Sequence, residues 1–84
     1  MITITINETL VKNKIPTIKK SLRLYNSLDK ARKEIEPITS EMRDAKRNKR
    51  NPKVEIIAVS YDTDVEKQLL LSIGAFISID NETA

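Results

Sequence analysis

KVEIIAVSYDTDVEKQLLLSIGAFISID, residues 53–80, reads as strand, turn, helix and strand. Val54, Ile56, Ile57, Ala58 and Val59 form a nearly continuous apolar run. That pattern suits a strand buried on both faces, as in a parallel sheet. Tyr61 and Asp62 leave the strand, and Thr63 and Glu66 then have the spacing of a capping box. Asp64 and Glu66 lie where the positive end of a helix dipole favours carboxylates. Val65, Leu69, Leu70 and Ile73 recur at helical spacing. Gly74, the only glycine, falls just past the helix, where a left-handed conformation is needed. Phe76 to Ile79 reads as a second strand, so the spacing predicts a right-handed β-α-β crossover with these two strands parallel.

Upstream, Asn51-Pro52 ends a helix, because the residue before proline avoids the helical region. That helix carries Ile38, Met42 and Ala45 on one side and Arg43, Lys46, Arg47 and Arg50 on another. Pro37 either kinks one long helix or opens this one at its first position, where a missing N–H costs nothing; the second reading is preferred. A longer helix is expected from Pro16 to Ile35. Its apolar face combines Ile18, Leu22 and Tyr25 with Leu24, Leu28, Ala31 and Ile35. The chain begins with Ile2, Ile4 and Ile6 alternating with Thr3 and Thr5, a strand of period two with its isoleucines towards a core. Residues 7–14 read as a polar connection, and residues 81–84 as a polar tail.

The 84 residues suffice for one domain, 1–84, and a chain this short buries only about 60% of its unfolded surface. Self-association would ease that shortage. Cysteine and histidine are absent, which removes disulfides, the usual zinc sites and the common nucleophile–histidine pairs. No metal, cofactor or catalytic residue is expected. One glycine cannot build a phosphate-binding loop. No apolar run reaches the roughly 20 residues of a membrane span, and the first residues lack the pattern of a signal peptide, so a cytoplasmic protein is expected. Many Ile, Lys and Asn residues fit an AT-rich genome, such as that of a phage, a plasmid or other mobile element, or a low-GC host.

The 53–80 stretch with its upstream helix resembles the last third of response-regulator receiver domains. The resemblance covers residues 41–80. Ser60 matches the family's switch Ser/Thr at the end of a proline-preceded strand, and Gly74-Ala75 match its Gly-Ala pair. Asn81 falls near the position of the family's lysine, the N-terminal strand lacks the family's paired acidic residues, and no strand in the first half carries an acceptor aspartate. The resemblance thus implies a flavodoxin-like sub-fold without phosphorylation chemistry.

Net charge is +3, and it is concentrated. Arg43, Lys46, Arg47, Lys49, Arg50 and Lys53 are set against Asp44 alone. Such a stripe can track phosphates of DNA or RNA, although cations are also favoured at any helix C-terminus and no aromatic residue is interleaved. Ser60, Tyr61, Asp62 and Asp64 occupy the carboxyl end of a strand, where open α/β sheets bind ligands, and helix capping also explains them. Leu24, Leu28 and Ala31 make the face of the long helix that a protein partner or second copy would cover.

The sequence therefore predicts a small α/β domain of about three strands and three helices in the order β-α-α-β-α-β. The expected function is non-enzymatic: a regulatory or accessory protein working through protein–protein contacts, with another protein or a second copy (a homodimer) as the partner. The alternative is nucleic-acid binding through the basic helix end.

Overall fold

The computed structural model describes residues 1–76. Its first strand, β1, runs over Ile2–Lys12 and its second, β2, over Ile15–Tyr25. Asn13 and Lys14 join them with φ of 52° and 66°. Positive φ at both central residues is the signature of the type I′ hairpin turn, whose twist matches that of the flanking strands. The two strands pair antiparallel along their full length, from Ile2 opposite Tyr25 to Lys12 opposite Ile15.

Ser27 then caps a 20-residue helix, α1 (Leu28–Arg47), its Oγ accepting from the Lys30 N–H at 3.3 Å. Ala31, Ile35, Ile38, Met42 and Ala45 repeat every three or four residues and are all buried. Strand β3 (Val54–Ser60) returns beside β1, again antiparallel, giving the order β2-β1-β3. The outer strands β2 and β3 therefore run in the same direction with β1 between them. α1 connects them, which makes a split β-α-β unit. A second helix, α2 (Asp64–Ser72), follows.

Both helices end in a Schellman motif. In α2, Ala75 donates to the Leu70 carbonyl at 2.9 Å and Gly74 to Leu71 at 3.2 Å, with Gly74 at φ 74°. In α1, Arg50 donates to Ala45 at 2.9 Å and Lys49 to Lys46 at 3.3 Å, so Lys49 takes the left-handed position at φ 55°. The core lies between the sheet and the helices. Ile2, Ile4 and Ile6 from β1 meet Ile35 and Met42 of α1, Ile56 of β3, and Leu69 and Leu70 of α2. Tyr25 closes one end, its hydroxyl donating to Glu34 Oε1 at 3.1 Å. Burial raises its pKa above the usual phenol value.

The expected β-α-α-β-α-β order with a parallel terminal pair is overturned. The described elements run β-β-α-β-α, and every paired strand is antiparallel. The expected strand at residues 76–79 lies, apart from Phe76, outside the described residues. The helix expected from Pro16 to Ile35 is a strand followed by the start of α1. Ile18, Leu22 and Leu24 alternate with Lys19, Ser21 and Arg23, so the run satisfies period two as well as a helical repeat. Pro37 lies inside α1 rather than at the start of another helix. It faces solvent, so the carbonyl one turn earlier, left without its N–H partner, lies on the side water can reach.

The unbroken apolar run of β3 has a different cause from burial on two faces. A register shift opposite Thr5 and Ile6 makes Ile57 an extra residue, so the normal alternation is interrupted. The antiparallel neighbour of β3 also removes the flavodoxin-like arrangement that the receiver resemblance implied. The isoleucine alternation of β1, the bounds of β3, the Thr63–Glu66 capping box and the left-handed Gly74 are as the sequence predicts.

Candidate interaction surface

The helices pack on one face of the sheet. Among the described residues no element covers the other, and that open face can be read from the register. Residues directly opposite in an antiparallel pair share a face. Crossing from β2 to β3, the rows are Leu24, Thr3 and Ser60; Leu22, Thr5 and Ala58; Lys20, Asn7 and Glu55; then Ile18 and Thr9. Thr9 also donates its N–H to the Lys53 carbonyl at 2.9 Å.

β2 turns most of its aliphatic residues to this open side, Ile15 opposite Lys12 excepted. Ile18, Leu22 and Leu24 are 68%, 61% and 56% exposed. Its helix-facing residues above Tyr25 are the polar Arg23, Ser21 and Lys19, opposite Ile4, Ile6 and Glu8. At the centre of the open face, the Asn7 Oδ1 is shielded from solvent and has no hydrogen-bond partner. Near the hairpin end, a shallow groove of about 420 Å³ is lined by Thr9, Val11, Pro16, Ile18, Asn51, Pro52 and Lys53.

The three residues assigned to one helical interface do not share a surface. Leu24 is on the open sheet face, Leu28 begins α1 and is exposed, and Ala31 is fully buried. The alternation in β2 was the signal that locates Ile18 and Leu22 beside Leu24.

The basic stripe divides in two. Arg50 is held by a clamp: Nη1 and Nη2 donate to the two Glu41 carboxylate oxygens at 2.7 and 2.9 Å, and Nη2 also donates to Asp44 Oδ2 at 2.6 Å. Glu41 accepts in addition from the Lys53 N–H at 2.8 Å. These bonds tie the α1–β3 connection to the helix, and they hold the Glu41 carboxyl down at about 2, the Arg50 guanidinium being the largest cause. Arg43, Lys46, Arg47 and Lys49 remain exposed, with no ion pair among the described residues.

The turn after β3 is also occupied internally. The Met1 ammonium lies 3.0 Å from Asp62 Oδ2 and 2.8 Å from Glu66 Oε2. Glu66 Oε1 accepts from the Asp62 and Thr63 amides. The ammonium above all, then the Asp62 amide, brings the Glu66 carboxyl down to about 2. Among the described residues, no group of three or more His, Cys, Asp or Glu side chains is placed to hold a metal ion. No described helix is long and apolar enough to cross a membrane.

Glu41 and Glu66 set a pH dependence. Both carboxyls titrate near 2 when folded, against an ordinary 4.5. A depressed folded pKa adds stability that is fully present above the unfolded value and is lost as pH falls through the folded one. The melting temperature is therefore expected to hold near pH 6 and fall steadily between pH 4.5 and 2. Glu41→Gln should remove part of that slope while lowering the melting temperature at pH 6; an unchanged slope would show that the clamp does not contribute.

No family model, curated protein or solved structure matches the chain.

Proposed function

We propose that the protein is a non-enzymatic accessory protein that acts through protein–protein contact, with the open face of the sheet as its contact surface. The observation that carries this reading is the orientation of β2, which directs Ile18, Leu22 and Leu24 to solvent while Lys19, Ser21 and Arg23 lie on the helix side. Large aliphatic side chains exposed together on one sheet face of a small chain are what a protein partner covers. Sheets that bind single-stranded RNA stack bases on aromatic residues, and this face is built from Leu, Ile, Thr, Asn and Lys instead.

The reading is tested by placing a photo-crosslinking phenylalanine analogue at Leu22 in the source cells, with Arg47 as the control position. Protein adducts at position 22 and none at 47 are expected. Absence of any adduct at 22 would remove the proposal.

Polyanion binding by the end of α1 is the second reading, carried by exposed Arg43, Lys46, Arg47 and Lys49. It is the weaker one, because Arg50 is already engaged by Glu41 and Asp44. Anisotropy titrations with short DNA and RNA at two salt concentrations separate the readings. Purely electrostatic binding here should be no tighter than the roughly 10⁻⁴–10⁻⁶ M of non-specific complexes and should weaken steeply with salt. Tight, salt-resistant binding lost on Arg43→Glu and Arg47→Glu would instead favour nucleic acid as the partner.

A further inference from the structure

We infer that the open sheet face, taken as the contact surface proposed above, packs against the same face of a second copy about a twofold axis running along β1. Two properties of the rows point to that occupant and that axis. The first is charge. The row Lys20, Asn7, Glu55 carries a cation on β2, an amide on β1 and a carboxylate on β3. A twofold along β1 exchanges the two edges of the sheet. It lays Lys20 over Glu55 of the second copy and, by symmetry, Glu55 over its Lys20. A twofold running across the strands through the same row would instead stack Lys20 on Lys20 and Glu55 on Glu55, which is repulsive.

The second property is size. β2 carries the large side chains, Leu22 and Leu24, and β3 carries the small ones, Ala58 and Ser60, in the same two rows. Exchange of edges sets large over small in both rows, so the surfaces can interdigitate as the inner faces of a β-sandwich do. Thr3 and Thr5 on the axis are compact enough for the central strands to approach.

The face measures roughly 14 by 37 Å from strand spacing and rise, about 500 Å² when taken as flat. This is below the ~800 Å² per partner of standard interfaces, so a reversible dimer is expected rather than an obligate one.

Sedimentation velocity on the purified protein from about 5 to about 500 µM tests this, a range chosen to bracket micromolar affinity. The wild type is expected to pass from monomer to dimer across it. Lys20→Glu and Glu55→Lys should each weaken self-association by at least about tenfold, since each creates two like-charge contacts. Mixing the two variants should restore a dimer, because every facing pair is then opposite in charge. Circular dichroism and thermal melting should report both variants folded, as both positions are on the sheet surface.

A monomeric wild type at the highest concentration, or a dimer unaffected by either substitution, or a mixture that stays monomeric, would overturn the inference. The crosslink at position 22 keeps this outcome separate from failure of the contact surface itself. An adduct of twice the chain's mass supports a second copy. A different protein partner there overturns the self-pairing alone, and no adduct overturns both.

Discussion

Ile4→Ala is expected to destabilise the protein by about 2–5 kcal/mol, and Leu22→Ala, one row away on the neighbouring strand, by less than about 1 kcal/mol. The two residues are both large aliphatics in the same hairpin, and the difference is the face. Ile4 is fully buried on the central strand, between β2 and β3 and under the helices. Truncating it loses the transfer free energy of its methyl and methylene groups and leaves a cavity that neighbours on two elements cannot close together. Leu22 stands largely in water on the open face, so truncation removes little folded-state burial. Because small domains have only about 5–15 kcal/mol of total stability, Ile4→Ala should leave a substantial unfolded fraction at 37 °C. Urea denaturation of both variants measures the pair. Equal losses would mean that the open face is covered within a single chain, which would take away the basis of the contact surface.

Lys14→Gly and Lys49→Gly are expected to stabilise the protein by about 1 kcal/mol each. Both lysines hold positive φ, 66° in the hairpin turn and 55° after α1. A side chain in the left-handed region costs about 1–2 kcal/mol, and glycine avoids that while giving back part of the gain as unfolded-chain entropy. The two sites are in different turns, so their effects should add. For a domain of this size, each kcal/mol corresponds to roughly 4–8 °C in melting temperature. Gly74 is the internal reference: it occupies the equivalent position after α2, and Gly74→Ala should cost about as much as Lys49→Gly gains. Thermal melts of the three variants check the set, and a Lys14→Gly protein no more stable than wild type would show that the turn is not strained.

These residues also show how far the sequence could be read. The first half of β1 was legible because Ile2, Ile4 and Ile6 are on the core side, so alternation and burial agree; its continuation to Lys12, read as a connection, is mainly polar and gave no such signal. In β2 they disagree. Ile18, Leu22 and Leu24 avoid the core, and with Tyr25 they fit a helical repeat about as well as a strand. The turn that would have decided it contains no glycine; Asn13 and Lys14 adopt positive φ anyway. Ser27 before Leu28 and Asp29 was a readable helix start hidden inside a run already given to a helix. In the basic stripe, composition shows six cations but cannot show that Arg50 faces Glu41, nine residues earlier, across the end of the helix. The open face itself required the register, since its rows draw on three separated segments.

The Glu41–Arg50 clamp bears on how the chain finds this arrangement. The β1–β2 hairpin is local and can close in about 1–10 µs, but a two-stranded hairpin is marginal alone. β3 must arrive from beyond β2 and the whole of α1 to lie beside β1, and contacts that distant in sequence are slow to form. The clamp joins residues close in sequence and becomes available as soon as α1 does. By fixing the exit of α1 and the amide of Lys53, it narrows the directions in which the chain can leave the helix just before β3 begins. The stability that Glu41 and Arg50 contribute would then be felt in the rate at which the third strand docks more than in the rate at which it leaves.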